Sequence, residues 1–297
     1  MSALDHSLRP RWRRIVDFPL VAMVLAVLLY AAATALALFI TVRALPKMTG
    51  GELTAANTIL AVGLALLVYK LAIRHLGEHP RDDLAFRDAP RDLSLGLLAG
   101  AGLFSAVVGI AAMSGVYRIT GCCSTAELIR DIFGAAIFAG FMEELLFRGI
   151  LFRWIEEFGG SWAALIITSG LFGLVHIRNP SATWFSSFAI AVEAGLLLGG
   201  AYILTRNLWM PMGLHAAWNF TQGFLFDVPV SGNAERGLVT ANLSGPAILS
   251  GGAFGLEASV IALMLCVAAG LAFIALAARR GKLVRPWWVR RRATDSL

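Results

Sequence analysis

Charge is scarce in this 297-residue chain: Asp, Glu, Lys and Arg make up 15% of it, against 58% hydrophobic residues. With a mean hydropathy of +0.73, the apolar surface exceeds what one soluble core hides, which excludes a soluble globular domain. Cysteine is almost missing. The three present are the adjacent Cys122 and Cys123 and the solitary Cys266 inside an apolar run, a spacing that supports neither a disulfide framework nor a zinc knuckle. The formal charge of +6 is no nucleic-acid signal, because the basic residues cluster at the ends of apolar runs, where they set membrane topology. No internal repeat and no domain boundary is visible, so residues 1–297 read as a single integral membrane domain.

What is there is a series of apolar runs of the length an α-helix needs to cross a hydrocarbon core of about 30 Å. Spanning segments are expected at about 18–43, 54–74, 93–117, 127–152, 161–177, 185–205, 208–226 and 255–278. The fold class is therefore all-α, a polytopic membrane protein with about eight transmembrane helices and no strands. The first run follows the basic head "LRPRWRR" but is too long for a signal-peptide core, and it reaches Arg43 without a clear cleavage site. An even count places both termini on one side. That side collects Arg9, Arg11, Arg13, Arg14, Arg74, Arg81, Arg87, Arg91, Arg153, Arg206 and the tail "RRGKLVRPWWVRRR", against Arg43, Lys47, Arg118, Arg178 and Arg236 on the other. The asymmetry makes both termini cytoplasmic. The tail reads as an interfacial anchor with Trp287 and Trp288 at headgroup level. Segment 227–254, rich in Gly and Ser, reads as a long connection that re-enters the membrane where protein covers it.

Against that background, "FMEELLFRGILF" at 141–152 stands out. A carboxylate in a membrane helix costs about 3 kcal/mol and is by default a mark of function. Glu144 and Arg148 lie four residues apart on one helical face, so they form an internal ion pair, and the adjacent Glu143 is left for chemistry. Two further apolar runs carry polar pairs at the same spacing: Phe172 with His176 in "FGLVH", and His215 with Asn219 in "HAAWN". Each of these polar groups needs a partner inside the membrane, and the others are the nearest available. Two imidazoles and a carboxylate suit a zinc ion with one open position, making His176 and His215 candidate metal ligands. A second carboxylate beside them is a general base, and Asn219 orients water or donates to an oxyanion. The same groups serve equally a metal-free, glutamate-activated water. Counting residues along the helices places His176 near the outer face and His215 about two turns from the cytoplasmic one, so a common depth requires tilted, displaced or broken helices. Glu193, in "AIAVEAGLLLGG", either lines the same cavity or pairs with a basic neighbour such as Arg130.

The ordered triplet EExxxR (Glu143, Glu144, Arg148), FxxxH (Phe172, His176) and HxxxN (His215, Asn219) resembles the CPBP family of CAAX proteases and bacteriocin-processing enzymes, the Ras-converting type among them, in its bacterial members. The resemblance covers about 125–225, and "GGAFGLEAS" at 251–259 is also similar to bacterial members. It implies an intramembrane metalloendopeptidase in which Glu143 activates water, His176, His215 and Asn219 form the centre, and Glu144, Arg148 and Phe172 support it, with zinc as the possible cofactor. Other intramembrane protease signatures are absent: there is no HExxH and no GxGD, and Ile167 stands where a GxSG serine motif has its first Gly. A proton- or metal-coupled transporter and a non-proteolytic membrane partner-binding protein remain the competing readings. The implied partners are a membrane-associated protein or peptide substrate and the lipid bilayer, with no nucleic acid, in a bacterial inner membrane; the oligomeric state is open.

Overall fold

In the computed structural model, residues 10–122 and 124–290 are described; Arg9, Cys123, Arg291 and Arg292 of the sequence reading lie outside them. A short helix α1 (Arg11–Val16) leads into α2 (Pro19–Ala44), α3 (Gly50–Leu71) and α4 (Ala89–Met113). Strand β1 (Tyr117–Cys122) precedes the 49-residue helix α5 (Leu128–His176). Then come α6 (Trp184–Thr205), α7 (Trp209–Phe220, continued by a π turn Thr221–Leu225), β2 (Val239–Leu243), α8 (Ala247–Ser250) and α9 (Val260–Arg279). The chain is an all-α multi-pass membrane protein. Six helices among the described residues are long and apolar enough to cross a membrane, against eight expected spans. Two features account for the difference. The expected segments 127–152 and 161–177 are two arms of α5, and α7 with its π turn has 12 and 5 residues, short of the ~20 that a full crossing takes.

The arms of α5 meet at Gly160, where φ 83° and ψ 169° break the helix. Backbone of this kind is open to Gly alone without strain, and the break also receives the C-terminal tail. Ser161 N donates to the Val284 carbonyl at 3.0 Å, and Val284 N donates back to Ser161 Oγ at 2.8 Å. The first arm winds with π-type hydrogen bonding over Asp131–Glu143 and again over Leu145–Phe152, with Glu144 between the two stretches. Such widened turns shift the facing of side chains and recur at functional sites.

The expectation of no strands is corrected. β1 and β2 pair antiparallel, Tyr117 opposite Leu243 and Cys122 opposite Val239, with an irregularity between Ile119 and Gly121. Asp227 holds the connection in place: its two carboxylate oxygens accept from Gly237 N and Ala241 N, both at 2.9 Å. The strands and the two loops that contain them sit at the end of the bundle opposite residues 10 and 290, the ends of the described chain.

Packing relies on small residues. A Cβ built on Gly140 would stand 2.9 Å from the Ala216 methyl and 3.0 Å from Ala216 N, so only Gly lets α5 lie this close to α7, one turn from the glutamates. At the terminal end, Asp83 is buried and accepts from Tyr202 Oη at 3.1 Å, while its backbone N–H donates to Tyr69 Oη at 2.7 Å and its carbonyl accepts from Leu208 N at 2.8 Å. Arg81 adds an ion pair at 3.0 Å. One aspartate thus ties α3, α6 and the start of α7 together.

Candidate active site

Glu144 is fully buried, and one of its oxygens, Oε1, serves two partners: Arg148 Nη1 at 2.8 Å and His215 Nδ1 at 2.9 Å. Arg148 is itself buried and spends its other nitrogen on the Ala194 carbonyl of α6 at 2.7 Å. Its guanidinium lies 5.1 Å from the Phe172 ring centre, a cation–π contact. The ion pair expected from the four-residue spacing is therefore present, and it fastens α5, α6 and α7 to one another.

The two histidines share Phe172. Its ring stacks on His176 at 4.5 Å and meets His215 edge-on at 6.2 Å, and its carbonyl accepts from His176 Nδ1 at 2.7 Å. With a carbonyl and a carboxylate as acceptors, both imidazoles carry their proton on Nδ1, which leaves each Nε2 lone pair available. His176 ends the short second arm of α5 and His215 lies within the short α7. Those two truncated helices, together with the break at Gly160, bring the histidines to a common cavity despite their different positions along the chain.

That cavity, about 360 Å³, is lined by Glu143, His176, His215, Asn219, Asn179 and Ser231 among others. Oε2 of Glu143 is buried with no hydrogen-bond partner among the described residues. Asn219 is held by a bond from Nδ2 to the Ala135 carbonyl at 2.9 Å. A second chamber of about 60 Å³ adjoins the first and shares His176, His215, Asn219 and Ser231 with it. Glu193 lines this inner chamber and is buried. Its alternative pairing with Arg130 is corrected: Arg130 bonds to Glu127 at 3.2 Å, to Asp131 at 3.3 Å and to Glu235.

Several residues of the site lie outside the motif spacings. Ser231 comes from the loop after α7, and its backbone N–H donates to Glu257 Oε1. Glu257, just before α9, is buried and also lines the inner chamber. The available signal was a lone carboxylate at the head of an apolar run, in "FGLEAS". Asp131 and Glu235 flank the outer cavity with Arg130. As for a metal, no group of three or more His, Cys, Asp or Glu side chains among the described residues is arranged to hold one.

Two outcomes follow from this geometry. Arg148→Ala leaves the buried Glu144 carboxylate with His215 alone, and breaking a buried pair in this way costs about 3–5 kcal/mol. Thermal melts in detergent are expected to fall sharply, and Arg148→Lys, which cannot reach both Glu144 and Ala194 with a planar fork, to recover only part. In the loop, burial pushes the Glu235 carboxyl up to about 7; Arg130 opposes this and the neighbouring Asp131 adds to it. A carboxyl raised by folding favours the fold below its ordinary value of 4.5, and that contribution is lost as pH rises through about 7. Glu235→Gln should flatten the pH dependence of the melting temperature across that window; an unchanged profile would refute the coupling.

Residues 125–221 match the family model described as type II CAAX prenyl endopeptidase, Rce1-like. The chain matches no curated protein and no solved structure. The matched segment holds Glu143, Glu144, Arg148, Phe172, His176, His215 and Asn219, all of which surround one buried ion pair and one cavity. The segment 125–221 is thus an Rce1-like domain of the CPBP/CAAX protease family.

Proposed function

We propose that this protein is an intramembrane endopeptidase that hydrolyses a peptide bond of a membrane-associated protein or peptide with a water activated by Glu143. The observation that carries the reading is the buried, unpartnered Glu143 oxygen in a cavity that it shares with both imidazoles. A water hydrogen-bonded to that carboxylate has its second proton accepted by the Nε2 lone pair of a histidine, which orients one of its oxygen lone pairs towards a carbonyl carbon. As the oxygen–carbon bond forms, Glu143 takes the proton, and it delivers that proton to the departing amide nitrogen when the carbon–nitrogen bond breaks. One N–H of Asn219 is committed to Ala135; the other is the donor for the developing oxyanion. Glu144, held by Arg148, keeps His215 in the required tautomer. His176 and His215 are the residues that would hold a zinc ion, which would supply Lewis-acid activation of the same water; the proton transfers above are carried by the chain's own residues.

The side of access follows from topology. The basic loops and both ends of the described chain lie at one end of the bundle, which the Lys and Arg asymmetry makes cytoplasmic. The outer cavity is flanked by Asn179, Asn233 and Glu235, from the loops at the other end, so the substrate approaches from the non-cytoplasmic face.

Glu143→Gln is expected to abolish cleavage of a panel of membrane peptides, a prenylated CAAX peptide included, with a thermal melt close to wild type. Full activity in that variant would sink the mechanism. The same assay with a chelator tests the His176 and His215 ligand pair: cleavage is expected to persist, and a loss that zinc restores would make them metal ligands. For the side of access, Ala234, exposed beside the cavity, is replaced by Cys in a background with Cys122 and Cys123 changed to Ser. A membrane-impermeant maleimide is expected to label it in intact cells. Labelling only after lysis would reverse the orientation.

A further inference from the structure

The inner chamber has no part in the hydrolytic steps, yet it holds two carboxylates. Glu193 of α6 and Glu257 before α9 both line it, each 5% exposed, and they are close enough to interact electrostatically. No Lys or Arg lines the chamber. The two acids are not equivalent. Oε1 of Glu257 is bound by Ser231 N, whereas Oε1 of Glu193 is buried with no partner among the described residues. A buried polar oxygen of this kind is costly unless a ligand or water completes it. The rest of the wall is apolar and aromatic, with Phe172, Leu197 and Trp218 among its residues. The volume of about 60 Å³ has room for roughly four water-sized groups, the number of heavy atoms in a lysine side chain beyond Cβ.

From these features we infer that the inner chamber is a specificity subsite for a cationic substrate side chain, best matched by lysine. The aliphatic stem lies against the apolar wall beside the aromatic rings, and the ammonium reaches the Glu193 and Glu257 carboxylates. Transfer of an ammonium out of water is costly unless it is paired, and here two acids meet it with no Lys or Arg in the wall. A side chain of equal length without a donor leaves the buried Glu193 oxygen unpartnered, which is how a polar subsite discriminates. Position supports the assignment. The chamber shares His176, His215, Asn219 and Ser231 with the outer cavity, so a side chain within it belongs to a residue near the scissile bond. The identity of the ligand as a substrate side chain rests on the peptidase reading; the cation preference of the chamber does not.

The test uses the full-length protein in detergent and a set of membrane peptides carrying lysine, norleucine or glutamate in turn at each position around the cleaved bond. At one position lysine is expected to exceed norleucine in kcat/KM by about tenfold or more, and Glu193→Gln is expected to bring that ratio close to one. Glu257→Gln supplies the same comparison should the first variant fail to fold. Cleavage with no lysine preference, or with a preference that neither substitution moves, overturns the subsite and leaves the peptidase reading standing. If no peptide is cleaved, that reading fails, and the chamber is judged by binding of n-butylammonium against n-butanol. A rise in melting temperature with the cation alone, lost in Glu193→Gln, supports it, and no rise in the wild type overturns it.

Discussion

One carboxylate oxygen organises the molecule. Oε1 of Glu144 accepts from Arg148 and from His215 at once, in a region where water is not available to share the load. Neither charge is tolerable alone in a membrane interior, so the helices that supply them are compelled to meet. Arg148 extends the constraint to the Ala194 carbonyl of α6 and to the Phe172 ring, and Phe172 passes it to His176. The arrangement separates the two adjacent glutamates: each keeps a buried Oε2 without a partner among the described residues, but Glu144 holds Arg148 and His215 through Oε1, whereas Glu143 faces the cavity.

The close approach this pair demands is met by the backbone, not by the charges. Gly140 opposite Ala216 lets α5 and α7 touch, and the π-wound stretches on either side of Glu144 set the directions of the two carboxylates. A regular helix places neighbours about 100° apart; widened turns alter that angle locally. Such turns are stable here because the residues around them are packed: Leu145, Arg148 and Ile150 are all buried.

Much of the centre was legible in the sequence because it lies on helices, where a spacing of four is a statement about facing. Glu144 with Arg148 and Phe172 with His176 met as that rule requires. His215 with Asn219 line one cavity for the same reason. The depth of the histidines was not legible, since it depends on where helices stop. Gly159 and Gly160 announce a break, but no periodicity tells how short the second arm is. β1 and β2 were missed because "YRITGC" and "VTANL" are brief, and strand pairing across more than a hundred residues leaves no local pattern. Ser231, Glu235 and Glu257 were missed for a related reason: they reach the cavities from loops, whose course is set by long-range contacts such as those of Asp227.

The two ends of the bundle are built on different principles. At the end bearing both ends of the described chain, Tyr69, Tyr202 and Arg81 form a polar knot around the buried Asp83, and the segment at Val284 is stitched into the Gly160 break. At the opposite end, short helices stop early and loops with a small sheet close over a hydrophilic cavity. Fully satisfied buried networks rigidify the elements they join, whereas loop backbone over a cavity has fewer buried contacts and opens at lower free energy. Under the proposed hydrolysis, exchange of substrate and product belongs to the loop end, while the knotted end keeps the helices in register. The Glu143 carboxylate can keep an unpartnered oxygen within such a bundle because the energy that holds the helices together is supplied elsewhere, by Glu144 and Arg148 on one side of it and by Asp83 at the far end.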